Sequence, residues 1–420
     1  MRTIVADARS QTSVARVQHY CNVARFCKIA HVKPLAIRML RGGITGVLWS
    51  RLIDAFLPRR AVALIASMPA LPEQPETKPV EPFGPLRPHA GRIAAALLLV
   101  ALVVPSVWLR TTSAWPGDNH VNTLQVTRLR AHTPDFWPQD ISLMGAWHLT
   151  SGSNLFGGYS ALLATGGDTL TAVSDVGQSL RFGRPDLAPG SPPQFSRIPP
   201  IIDHKDGQDI ESATWDPRSG ARWYGYEGRN LIRRFDPGET VGAAVAPKAM
   251  RRWAMNGGPE SMTRLADGRF IVLAEDPPWL STGARTGLLF SSDPVSGAAP
   301  LEFAFRPPIG YDPSDMAALP DGRVVILLRV VDPTSPPFFR GMLVVADPAT
   351  IARGREWRWH KLADLTDPVP RDNYEGLAIV PDATGVNLWL ISDDNFARFQ
   401  RTLLLELHWD VPPREATAPR

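Results

Sequence analysis

The chain has 420 residues, 44% hydrophobic and 20% charged, which supplies a large core and excludes a disordered polyelectrolyte. Its 41 prolines argue against a mostly helical fold. The formal net charge of +4 is misleading. Residues 1–67 hold 11 Lys and Arg against the acids Asp7 and Asp54, residues 68–92 balance, and 110–420 therefore carries about −5 (4 − 9), so the main domain is not read as a nucleic-acid binder.

In chain order, residues 1–67 read as a basic extension. It contains both cysteines, Cys21 and Cys27; with His19 and His31 they fit no zinc spacing and are read as reduced and structurally neutral. Prolines at 69, 72, 75, 79, 82, 85 and 88 make 68–92 an extended linker, and one hypothesis is that translation starts at Met68, with 1–67 an artefact or a disordered extension. Residues 93–109, IAAALLLVALVVPSVWL, form an uncharged apolar run after Arg87 and Arg92, interrupted by Pro105. Its length suits a secretion signal cleaved after Ala114, or a short inner-membrane anchor; a buried helix is the blander alternative. Upstream positive charge predicts a cytoplasmic N-terminus and an exported remainder, periplasmic or extracellular. The resulting plan is 1–67 extension, 68–92 linker, 93–114 signal or anchor, and 140–412 main domain.

From about residue 140 the chain repeats. YSALLATGGDTLTAVSD begins at Tyr159, IESATWDPRSGARWYGYE at Ile210, PESMTRLADGRFIVLAE at Pro259, SDMAALPDGRVVILLR at Ser314 and YEGLAIVPDATGVNLWLISD at Tyr374. Each unit has an opening polar residue, an apolar run, a turn, a second apolar run and a closing polar residue. The openings are Ser160, Glu211, Glu260, Asp315 and Glu375; the closings are Asp175, Glu227, Glu275, Arg329 and Asp393. Two further strand-like runs follow in the units: NLIRRFD and AMRRWAM, GLLFSSD and LEFAFRP, GMLVVAD and EWRWHKL. Four short strands at a period near 50 residues define an all-β, β-propeller fold with five four-stranded blades. The fifth unit is one strand short, and ISLMGAWHLT (141–150) is expected to complete it and close the ring. Six blades is the alternative, if a degenerate blade hides in a long connection.

The first two strands of a unit form a hairpin, so its opening and closing residues meet at one end. Around the channel this gathers Asp175, Glu211, Glu227, Glu260, Glu275, Asp315, Glu375 and Asp393 at one mouth, with Ser160 and Arg329 completing the ring. Crowded carboxylates must be protonated, paired or bound to a cation. Oxygen-only ligands favour Ca²⁺ over zinc. The competing reading is that each acid seals the channel by bonding backbone amides or water.

The five segments, and NYEGLAIVPDATGVNLWLISDDN…QRTLLLEL above all, resemble the phytase-like family, also called "esterase-like activity of phytase", over about residues 140–410. The resemblance implies an exported bacterial hydrolase of phosphate or carboxylic esters acting on a small molecule. Ser160, where an acid is expected, and Arg329 depart from the pattern. On this reading Ca²⁺ polarises the ester, Glu260 or Glu375 serves as base, and Arg329 holds an anionic part of the substrate or compensates the acids. A serine nucleophile at Ser160 is disfavoured because GGYSA lacks the last glycine of a nucleophile elbow. The alternative is a non-catalytic binding module of the cell envelope, for which Trp215, Trp223 and Trp279 at the mouth would speak. A monomer is expected.

Overall fold

The computed structural model describes residues 121–412, apart from 188–189, 200–207, 255–256, 276–282 and 333–337. The apolar run 93–109, Ala114, both cysteines and Trp279 lie outside the described residues. No helix among the described residues is long and apolar enough to cross a membrane.

Among the described residues the regular structure is twenty-two strands and a few short 3-10 turns. Strands β1 (Gln125–Arg128) and β2 (Ile141–Thr150) precede the first blade. Blade one is β3 (Tyr159–Ala164), β4 (Thr169–Ser174), β5 (Gln178–Gly183) and β6 (Gln194–Arg197). Blade two is β7 (Ile210–Trp215), β8 (Arg222–Tyr226), β9 (Leu231–Phe235) and β10 (Ala243–Val245). Blade three is β11 (Pro259–Arg264), β12 (Phe270–Ala274), β13 (Arg285–Phe290) and β14 (Leu301–Phe305). Blade four is β15 (Asp312–Ala318), β16 (Val324–Val331), β17 (Phe339–Ala346) and β19 (Trp359–Leu365); the two-residue β18 (Glu356–Trp357) joins the edge of blade three instead. Blade five is β20 (Tyr374–Pro381), β21 (Val386–Ser392) and β22 (Thr402–Trp409), completed by β2 and then β1.

The fold is thus a five-bladed β-propeller. The inner strands β3, β7, β11, β15 and β20 pack side by side in a closed ring around the channel. Closure by residues 141–150 is as expected: Ile141 pairs with Trp409 and Leu149 with Thr402. Strand β1, a fifth strand on that blade, was not anticipated.

The packing explains why second strands such as β12, β16 and β21 carry apolar residues on both faces. Side chains alternate across a strand, and each blade is covered on both faces. In β16, Val325 and Leu327 enter the core shared with blade five, while Val324, Ile326 and Leu328 enter the core shared with blade three. In β21, Leu388 and Leu390 face blade four while Trp389 and Ile391 face blade one. Five such cores lie at the five blade interfaces.

Two outer strands differ from expectation. AMRRWAM is not the fourth strand of blade two; that strand is Ala243–Val245, and Lys248–Arg252 forms a short 3-10 turn after Pro247. The turn drives Met250, wholly buried, into the core between blades two and three. EWRWHKL is divided between two blades, because Trp357 is buried against Phe303 and Phe305 of blade three.

Candidate metal centre

The acid-bearing end is built by one backbone device repeated five times. In every blade one residue of the inner strand slips out of the ladder with the second strand: Ser160, Glu211, Glu260, Ser314 and Glu375. Such a β-bulge bends the strand and re-aims side chains. Two residues before each bulge, the main chain meets the closing residue. The N–H groups of Asp175, Glu227, Glu275 and Asp393 donate to the carbonyls of Gly158 (2.9 Å), Asp209 (2.8 Å), Gly258 (3.4 Å) and Asn373 (2.8 Å). In blade four Arg329 pairs with Asp312.

This register corrects one position. In blade four the bulge falls on Ser314, so the equivalent of Glu211, Glu260 and Glu375 is Ser314 and not Asp315. Asp315 stands one residue further, in the place of Ala161, Ser212, Ser261 and Gly376. Its Oδ1 accepts from Met316 N–H (2.8 Å) and its Oδ2 from Leu377 N–H of blade five (2.7 Å). Burial raises its pKa well above the carboxylate range, and the amides of Leu377, Met316 and Leu162 oppose that rise. Asp315 is a strut across the channel, set apart from the acids at the mouth.

The two serine bulges behave alike. Ser160 Oγ donates to Ile210 O (2.7 Å) and Ser314 Oγ to Tyr374 O (3.3 Å), each the first residue of the next inner strand. The Ser160 hydroxyl thus ties two blades together. His148, His360 and His408 lie on β2, β19 and β22, outer strands of blades five and four. Trp215 and Trp223 sit at the opposite end of the β7–β8 hairpin, packed into blade cores.

The remaining acids divide into groups. In Asp209, Glu211 and Glu227, and again in Glu227, Glu260 and Glu275, one carboxylate oxygen from each residue lies within 4.8 Å of the others. Glu227 belongs to both triads. Glu227, Glu260 and Glu275 are buried, whereas Asp209 and Glu211 are partly exposed. Asp209 was missed by sequence reasoning. Its signal is the polar residue two places before a bulge, seen again at Asp312 and Asn373. Gly258 occupies that place in blade three because a Cβ there would come within 2.9 Å of Glu227 Cα.

Beyond the triads, Arg329 Nη2 lies 3.5 Å from Glu275 Oε1 and Nη1 lies 3.3 Å from Glu375 Oε1. Nη1 also donates to Asn373 Oδ1 at 3.2 Å. Burial works against the Arg329 charge, but Glu375, Glu275, Glu260 and Asp312 outweigh it and raise its pKa. A second arginine, wholly buried Arg285, holds Asp312 through Nε (2.8 Å) and Nη2. Even so, burial and the nearby Glu275 push Asp312 up to about 6.

Asp175, Glu375 and Asp393 form the other arc. Burial raises Glu375, with Arg329 opposing and Asp175 and Glu275 adding to the rise. Burial raises Asp393 further, reinforced by Glu375, Asp175 and Asp394. The loop after Asp393 puts two consecutive non-glycine residues, Asn395 (φ 49°) and Phe396 (φ 51°), in the left-handed region. Asp393 Oδ1 accepts from Asn395 N–H (2.7 Å), and Asp394 Oδ1 accepts from Phe396 N–H (2.9 Å) and from Gly158 N–H of blade one (3.0 Å). This fixes Asp393 and seals the last blade against the first.

Both triads offer only carboxylate oxygens, which fits a hard divalent cation and not a thiolate- or imidazole-seeking one. Fold and site define a β-propeller with a carboxylate-lined mouth able to hold a metal ion. A family model described as phytase-like, esterase-like activity of phytase, matches residues 154–396. The chain belongs to that family.

No curated protein matches the chain. Solved structures of similar fold include the PQQ-bound aldose sugar dehydrogenase of Streptomyces coelicolor, at 13% identity over 68% of this chain and 99% of that one, TM-score 0.37. The allergen Mala s 1 of Malassezia sympodialis matches at 14% identity over 66% and 91%, TM-score 0.36. Hydrazine synthase of Kuenenia stuttgartiensis matches at 11% identity over 57% and 77%, TM-score 0.33.

Proposed function

We propose that this propeller hydrolyses phosphate or carboxylic esters of small molecules at its acid-bearing mouth, with Ca²⁺ held by Glu227, Glu260 and Glu275. The supporting observation is the pair of oxygen-only triads sharing Glu227, in a chain of the phytase-like family. When bound, the cation supplies charge that polarises the ester or phosphoryl oxygen. Glu375 is the base: it lies outside both triads, and its raised pKa brings it nearer the range where a carboxylate accepts a proton efficiently. Arg329 orients that carboxylate through its 3.3 Å contact.

The test is turnover by the purified chain on a panel of aryl esters and phosphomonoesters, with and without Ca²⁺, beside Glu260→Gln and Glu375→Gln. Ca²⁺-dependent turnover lost in both variants supports the reading. No turnover on any substrate overturns it and leaves a binding module. We also propose export, by cleavage after Ala114 or tethering through 93–109. Intact propeller found soluble in the cytoplasm on fractionation overturns that part.

A further inference from the structure

We infer that the Arg329 guanidinium fills a cation position of the ring, and that it competes with a bound metal ion for Glu275. This rests on the cation reading given under Proposed function.

The first observation is positional. Main-chain pairing makes Arg329 the equivalent of Asp175, Glu227, Glu275 and Asp393. At the one closing position without an acid, the side chain carries the opposite charge.

The second is geometric. A guanidinium committed to one carboxylate forms short, charge-assisted hydrogen bonds near 2.7–2.9 Å. Arg285 does this with Asp312. Arg329 does not: it lies 3.5 Å from Glu275 and 3.3 Å from Glu375, reaches Asn373 at 3.2 Å, and its buried Nε has no hydrogen-bond partner among the described residues. It is shared between carboxylates of two blades, as a bound cation is, and is held by charge more than by directed bonds.

The third is the overlap. Glu275 is a member of the triad with Glu227 and Glu260 and also faces Arg329. A divalent ion on that triad would share a carboxylate with the guanidinium, and two positive centres a few ångströms apart repel. Arg329 therefore lowers affinity at the triad and excludes an ion from the space between Glu275 and Glu375. The guanidinium is a positive charge that no chelator can remove.

The experiment uses the full chain, calorimetric titration with Ca²⁺, and metal analysis after equilibrium dialysis. Arg329→Met removes the charge and keeps much of the length. It is expected to bind Ca²⁺ at least tenfold more tightly than the parent and to retain one more ion per chain. Arg329→Lys, which keeps a charge there, is expected to retain the parent's number of ions. The double variant Arg329→Met/Glu375→Gln keeps the net charge balanced and covers the case in which the single variant fails to fold. It frees Glu275 without leaving a second acid, so tighter binding with no extra ion is expected. Parent and variants binding Ca²⁺ equally overturns this inference and leaves the cation reading intact. A parent that binds none beside an Arg329→Met protein that binds one overturns the cation reading and supports the inference. No binding in any of them overturns both.

Discussion

Asp315 of blade four accepts a 2.7 Å hydrogen bond from the backbone N–H of Leu377 in blade five. The contact joins adjacent inner strands through a side chain that is 1% exposed. Asn at 315 would turn an amide N–H₂ toward a backbone donor. Leaving a buried donor unsatisfied costs about 1–3 kcal/mol. Asp315→Asn is therefore expected to destabilise by that amount in denaturant titrations, and Asp315→Ala by more. Any effect of Ca²⁺ on melting should survive in Asp315→Asn. A variant as stable as the parent would remove Asp315 from the role of strut.

Chelation addresses the triads. A ligand that binds only the folded state at 100 times its Kd adds about 2.7 kcal/mol of stability. Chelator should lower the melting temperature and Ca²⁺ should restore it. Glu227→Gln should abolish this response, since Glu227 serves both triads, and Glu375→Gln should only weaken it. An unchanged melting curve with chelator would return all these acids to a channel-sealing role.

Glu406 yields a prediction about pH. It lies in β22, buried near Arg184 of blade one at 3.9 Å. Burial, then Asp186, raise its pKa from 4.5 to about 7, with Arg184 opposing. The folded protein therefore binds more protons than the unfolded chain between those values. Stability is highest below pH 4.5 for this group and falls as pH rises through about 7. Glu406→Gln should flatten the dependence of urea midpoints on pH across that window while leaving the chelator response intact. An unaltered slope would refute the assignment.

Ser160→Ala tests the nucleophile question. Its hydroxyl donates to Ile210 O, so the substitution should cost about 0.5–1.5 kcal/mol of stability. Any ester hydrolysis should continue. Loss of turnover with a normal melting temperature would revive the serine-hydrolase reading.

The propeller was legible because its second strands are mostly apolar on both faces and end in polar residues at a regular spacing. The missing strand of blade five was legible by counting. Register was less so. DPSDM presents Ser314 and Asp315 side by side, and only backbone pairing shows that the bulge takes the serine. Asp209 was hidden because buried Ile210 separates it from Glu211. Strand β10 was missed because Ala243–Val245 is short, small-chained and largely exposed, whereas the stretch after it, which carries the large side chains Met250 and Trp253, is spent on a turn that buries Met250. Local apolarity marks what is buried, and at a sheet's outer edge burial and strand pairing part company.

Strand β2 is synthesised before blade one and β22 after blade four, yet Ile141 pairs with Trp409. A nascent chain that has not released 386–409 from the ribosome can assemble blades one to four only as an open arc. Each end of that arc shows a bare apolar face: Leu162, Leu180 and Phe182 on blade one, Val325, Leu327 and Leu343 on blade four. Both faces are covered in the last step, when β20 to β22 arrive and capture the waiting β2. Such late, long-range pairing is slow and exposes sticky surface. A stop codon a few residues before Trp409 would therefore do more than shorten one strand; it would remove the pairing of Ile141 with Trp409 that latches β2 to β22 and so weaken the closure of the whole ring.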